Sequence, residues 1–103
     1  MAFTIHYLDV VKTDIKEAKV WYKNQKVGLD KYFALEVKKC IFRLQKNPLG
    51  YEVKYKNVRT AFTEVFPYAV HFYIDEDAQH VVIIAIIHQR RNPSLPYNRS
   101  DEM

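Results

Sequence analysis

The sequence predicts an α+β fold of order β-α-α-β-β-β-β, with a helical hairpin packed on one face of a mainly antiparallel sheet. Three observations carry this reading. Residues 66–91, FPYAVHFYIDEDAQHVVIIAIIHQRR, read as two antiparallel strands joined by a short acidic turn. Phe33, Val37, Cys40, Ile41 and Leu44 fall at helical spacing and form one apolar stripe. Finally, the helical patterns come early and the strand patterns run together afterwards, which segregates helices from sheet rather than alternating them.

In chain order, Phe3 to Leu8 alternates, with Phe3, Ile5 and Tyr7 on one side, and predicts a first strand. Asp14 then stands three positions before Glu17, the spacing of a capping box. Ile15, Ala18, Trp21 and Tyr22 supply the apolar stripe of the helix that follows. Gly28 suits a left-handed stop after it, and Asp30 suits the cap of a second helix. Asn47-Pro48 ends that helix, since proline cannot continue the hydrogen-bond ladder. After Gly50, Tyr51, Val53 and Tyr55 alternate with Glu52, Lys54 and Lys56, predicting a strand with the two lysines opposite the aromatics. Asn57 turns the chain into a further strand over 58–65, which Phe66-Pro67 breaks.

The last two strands differ in kind. Val70, Phe72 and Ile74 alternate with Ala69, His71, Tyr73 and Asp75, the pattern of a strand buried on one face. Val81 to Ile87 is an unbroken β-branched run, which suits a central strand covered on both faces. It changes abruptly to His88-Gln89-Arg90-Arg91-Asn92-Pro93, so a core strand delivers an imidazole and two guanidinium groups to one end of the sheet. Residues 92–103 hold two prolines and many polar residues and read as irregular.

Length and composition bound the function. The 103 residues make one domain, 1–103, with a single core. A net charge of +4 permits a polyanionic or acidic partner without requiring one. Cys40 is the sole cysteine, which excludes an internal disulfide and favours a reducing, cytoplasmic location. No apolar run approaches the roughly 20 residues of a membrane helix, so no membrane partner is expected. With two glycines there is no phosphate-cradling loop, and the histidines and cysteine show no zinc spacing. No metal and no cofactor are expected.

The remaining chemistry is a polar set around the open side of the sheet. Lys54, Lys56 and Arg59 come from the middle strands, while His88, Arg90, Arg91, Tyr97 and Arg99 follow the last one. Such groups suit metal-free RNA cleavage, in which a base activates the 2′-hydroxyl, arginines hold the phosphate and an acid protonates the leaving oxygen. The competing reading is a polar strand end, with Tyr97 merely packing the tail.

Together these features resemble the RelE/ParE superfamily of toxins from type II toxin–antitoxin modules, often called plasmid stabilisation proteins. The resemblance rests on the opening strand, Tyr22…Gly28-Leu29…Phe33…Val37…Ile41…Leu44…Asn47-Pro48, Val58-Arg59, Phe66-Pro67-Tyr68, HFYID, and AIIHQRRNP with Arg99 downstream. It implies a growth-inhibiting toxin held inactive by a cognate antitoxin, with ribosome-dependent mRNA cleavage as the leading expectation and a gyrase inhibitor acting by binding, or a non-toxic interaction domain of the same fold, as the alternatives. RelE-like members cut mRNA on the ribosome; ParE-like members poison DNA gyrase, and the ending here is more similar to theirs. For a nuclease, the resemblance implies His88, Arg91, Tyr97 and Arg59 as catalytic residues; the rest of the polar set, Lys54, Lys56, Arg90 and Arg99, is then expected to bind substrate. The antitoxin is expected in an apolar groove near the helices, rimmed by Lys and Arg. The same surface is a candidate for self-association into a homo-oligomer.

Overall fold

The computed structural model of the chain describes residues 3–90 and 94–99. β1 (Thr4–Tyr7) leads into α1 (Asp9–Gln25) and α2 (Leu29–Lys46), and a 3-10 turn at Pro48–Gly50 follows. Four strands come next: β2 (Val53–Tyr55), β3 (Val58–Phe62), β4 (Tyr68–Asp75) and β5 (His80–His88). A short α3 (Ser94–Arg99) closes the described chain. The five strands form one sheet of order β1-β5-β4-β3-β2, with β1 parallel to β5 and the other neighbours antiparallel. The expected order of elements therefore stands. The β-branched strand is internal, as its unbroken apolar run requires.

α1 and α2 cover one sheet face. Phe33, Val37, Ile41 and Leu44 from α2 meet Val70, Phe72, Val81 and Ile83 of the sheet in one buried cluster, with Tyr51 packed against it. At one end, Tyr22, Phe33, Phe66 and Tyr68 form an aromatic knot with centroid separations from 4.7 Å for Tyr22–Phe66 to 6.0 Å for Tyr22–Tyr68. Those are the separations at which ring quadrupoles attract edge to face.

Three local expectations need correction. α1 starts at Asp9, with Leu8 as its extended N-cap, so Asp14 lies inside the helix rather than capping it. The reason is burial: Val11, Ile15, Ala18 and Tyr22 repeat at helical spacing and all pack on the core, which carries the helix upstream. Gly28 is left-handed at φ 94, but it opens α2 instead of closing α1, and Asp30 sits in the first turn without capping. The stretch expected to be irregular contains α3.

β4 and β5 pair with one extra residue in β5. His71 pairs with Ala85 and Phe72 with Ile83, leaving Ile84 as a bulge. Ile84 and Ala85 consequently share the face opposite the hairpin, where Val58 and Ile87 join them, whereas Ile83 and Ile86 face the helices. The bulge lets a continuous apolar run fill two cores.

Candidate functional site

β1 stops at Tyr7, and its last ladder bond runs from Leu8 N–H to the Ile83 carbonyl. Beyond that point the outer edge of β5 needs other partners, because buried backbone polar groups are costly when unpaired. Two side chains 85 positions apart supply them. The Ile86 N–H donates to Asp14 Oδ2 at 3.0 Å, and Arg99 Nη1 donates to the Ile84 carbonyl at 3.2 Å. Arg99 and Asp14 then join through bonds of 2.6 and 2.9 Å, in a fork geometry that only a guanidinium provides. The side chains are 11% and 5% exposed, so this is a buried pair that fixes α3 to both α1 and β5.

α3, held there, walls a pocket of about 370 Å³ on the face opposite the hairpin. Ala69 and Ile87 line it along with Tyr55, Phe62, Pro96 and Tyr97; Thr60, His71, Lys54, His88 and Gln89 supply its polar groups. The Tyr55 hydroxyl and His71 Nδ1 share a hydrogen bond at 3.1 Å. Burial, reinforced by the Arg99 guanidinium, pushes His71 down to about 4, so the ring is neutral. Burial likewise pushes the Tyr55 hydroxyl up to about 12. The Tyr97 ring stacks obliquely near Tyr55 at 5.7 Å, and Lys56 Nζ lies 4.3 Å from the Tyr97 centroid.

The residues singled out from sequence are divided by this geometry. His88, Tyr97 and Lys54 line the one pocket. Lys56 touches Tyr97 at its margin, and Arg90 is exposed, its N–H donating to His88 Nδ1 at 3.1 Å. Arg59 lies elsewhere. It shares the hairpin face with Ala61, and its Nη1 donates to the Tyr51 carbonyl at 2.5 Å and the Leu49 carbonyl at 3.3 Å. The cleft it lines also carries Asp75, Glu76 and Asp77, an acidic setting that disfavours a phosphate. Arg99 is occupied by Asp14. Arg91 lies outside the described residues. Strand parity also fails at β2: a register irregularity between Val53 and Tyr55 puts Lys54 and Tyr55 on the same pocket. Cys40, on α2, is buried, and that burial pushes its thiol up to about 11.

A second surface lies on the outside of the hairpin. Tyr7, Ile15, Ala34, Leu35, Val37 and Ile41 line a groove edged by Lys19, Lys31 and Lys38. Lys12, Lys16, Lys23 and the exposed Val20 extend it along α1. The result is an apolar strip with a cationic rim.

The family model described as ParE toxin of type II toxin-antitoxin system, parDE, matches residues 5–93. The chain belongs to the ParE toxin family. A solved structure described as the chromosomal ParDE TA system from P. aeruginosa aligns with a TM-score of 0.74 at 13% identity. It covers 84% of this chain and 96% of that one, a likeness of fold. A comparison with curated proteins gives no match.

In this ParE-family chain, the residues that sequence reasoning missed are those of the pocket floor. His71 reads as a surface or hydrogen-bonded histidine on an alternating strand, and Thr60 carries no motif. They share their pocket with Tyr55 of β2, Phe62 of β3, and Pro96 and Tyr97 of α3. Tyr55–His71 pairing joins strands that β3 separates, so no local spacing announces it. Among the described residues no group of three or more His, Cys, Asp or Glu is placed to hold a metal ion, and no helix is long and apolar enough to cross a membrane.

Proposed function

We propose that this chain is the toxin of a type II toxin–antitoxin module and arrests growth by binding DNA gyrase, without catalysing a reaction on it. The observation that carries the reading is the commitment elsewhere of Arg59 and Arg99, two of the arginines expected at a phosphoryl-cleaving site. Arg59 holds two backbone carbonyls on the hairpin face, and Arg99 is locked to Asp14, so neither joins His88 and Tyr97 at their pocket. A transition state with developing charge needs such groups converging within hydrogen-bond reach. A binding poison needs only a shaped surface, and membership of the ParE family supports that choice. Ribosome-dependent mRNA cleavage remains the competing mechanism within the superfamily.

The antitoxin partner follows from the hairpin groove. A segment with aliphatic anchors and acidic residues matches an apolar strip between Lys19, Lys31 and Lys38. The test is direct. Purified toxin is added to gyrase with relaxed plasmid and, separately, to a translating extract. Loss of supercoiling with intact mRNA is the expected result, relieved by the cognate antitoxin; cut mRNA with normal supercoiling would overturn the gyrase reading.

A further inference from the structure

The pocket under α3 has no part in the gyrase-binding reading, and its chemistry is specific. Three aromatic residues, Tyr55, Phe62 and Tyr97, and three aliphatic ones, Ala69, Ile87 and Pro96, line about 370 Å³, a volume in the range of small-ligand sites. The inner polar groups are neutral. His71 is uncharged and already bonded to Tyr55. Thr60 is only 8% exposed, lines the pocket, and its Oγ1 has no hydrogen-bond partner among the described residues. Native structures rarely leave a buried hydroxyl without a partner, because desolvating it unpaired costs free energy.

We propose that this pocket binds a small, neutral aromatic molecule carrying one N–H or O–H donor, with the ring among the aromatic side chains and the donor on Thr60 Oγ1. Each part of that description answers an observation. Aromatic walls favour a flat ring in stacked or edge contact. A neutral ligand suits an interior that holds its own histidine uncharged, since a buried charge without a counter-ion is disfavoured. The single donor gives the Thr60 hydroxyl, orphaned among the described residues, a partner on its oxygen lone pair. Lys54 reaches the pocket but is paired with exposed Glu52 at 3.3 Å, so no anionic group is called for. The site lies on the opposite sheet face from the lysine-rimmed groove, so ligand and antitoxin occupy separate surfaces.

Indole and 1-methylindole are the probes, because methylation removes the N–H and keeps the ring. Amide NMR titration of the intact chain should show saturable shifts at Thr60, Ala69 and Ile87 with indole, and about tenfold weaker binding of 1-methylindole. Thr60→Val, which removes the orphan hydroxyl and keeps the side-chain shape, should weaken indole to the level of 1-methylindole. The wild-type comparison of the two ligands needs no variant and stands alone if Thr60→Val does not fold. No saturable shift with indole, shifts confined to α1 and α2, or equal affinities for the two ligands would each overturn the proposal.

Discussion

Arg99→Ala is the substitution whose cost the structure specifies most fully. It removes two bonds to Asp14, of 2.6 and 2.9 Å, and one of 3.2 Å to the Ile84 carbonyl. Asp14 cannot follow, because it sits in the middle of α1 with its side chain 5% exposed. Removing one member of a buried ion pair costs about 3–5 kcal/mol, chiefly through the charge left without its partner. Release of α3 admits water to Asp14 and brings the expected loss to the low end, about 3 kcal/mol. For a chain of this size each kcal/mol moves Tm by roughly 4 °C or more, so a fall of at least about 12 °C is expected at neutral pH. Arg99→Lys keeps the charge without the fork and should lose about half as much. In a double-mutant cycle with Asp14→Ala, the coupling should be about 3 kcal/mol. Urea and thermal unfolding of the five proteins measure these values. An Arg99→Ala protein within about 1 kcal/mol of wild type, with unchanged urea slope, would refute the argument that the pair is desolvated.

Three further outcomes follow from single observations. His71 is held near 4 against an ordinary 6.5, so the unfolded chain takes up the proton first as the pH falls. Its contribution is complete above pH 6.5, declines between 6.5 and 4, and levels off below; about 3 kcal/mol is lost across that window, and His71→Phe should flatten this part of the stability–pH curve. Gly28→Ala should cost about 1–2 kcal/mol by denaturant titration, from the left-handed backbone alone, because an added Cβ at φ 94 meets nothing within 4 Å. Lys31→Glu with Lys38→Glu, on the rim of the hairpin groove, should weaken antitoxin binding about tenfold at low salt, with the difference shrinking as salt is added; titration calorimetry at two ionic strengths measures it.

What the sequence discloses follows from how local its physics is. The α2 stripe and the Val81–Ile87 run each carry their own period, so hairpin, sheet and internal strand are legible from residues within one element. Asp14 shows the limit. Locally it has the spacing of a helix cap, and only Arg99 and the exposed edge of β5 explain a carboxylate on a buried stripe. α3 is masked by Pro96 and polar neighbours, and everything it covers is masked with it. Thus His71 and Thr60 alternate as ordinary strand residues, and only the pocket they share with Tyr55 and the α3 residues Pro96 and Tyr97 sets them apart. The predicted site residues fared unevenly for the same reason. Lys54, His88 and Tyr97 gather at one pocket, whereas the face and partners of Arg59 depend on the turn at Pro48–Gly50 whose carbonyl neighbourhood it ties down.

The claim of growth arrest by binding makes a stoichiometric demand that catalysis does not. Titrating a fixed concentration of gyrase with toxin and following plasmid supercoiling should give inhibition that saturates near equimolar toxin and reverses when antitoxin is added. The same toxin, far below the ribosome concentration in a translating extract, should leave full-length mRNA intact. Cleaved mRNA accumulating with time at that substoichiometric dose, with supercoiling unaffected, would contradict the account.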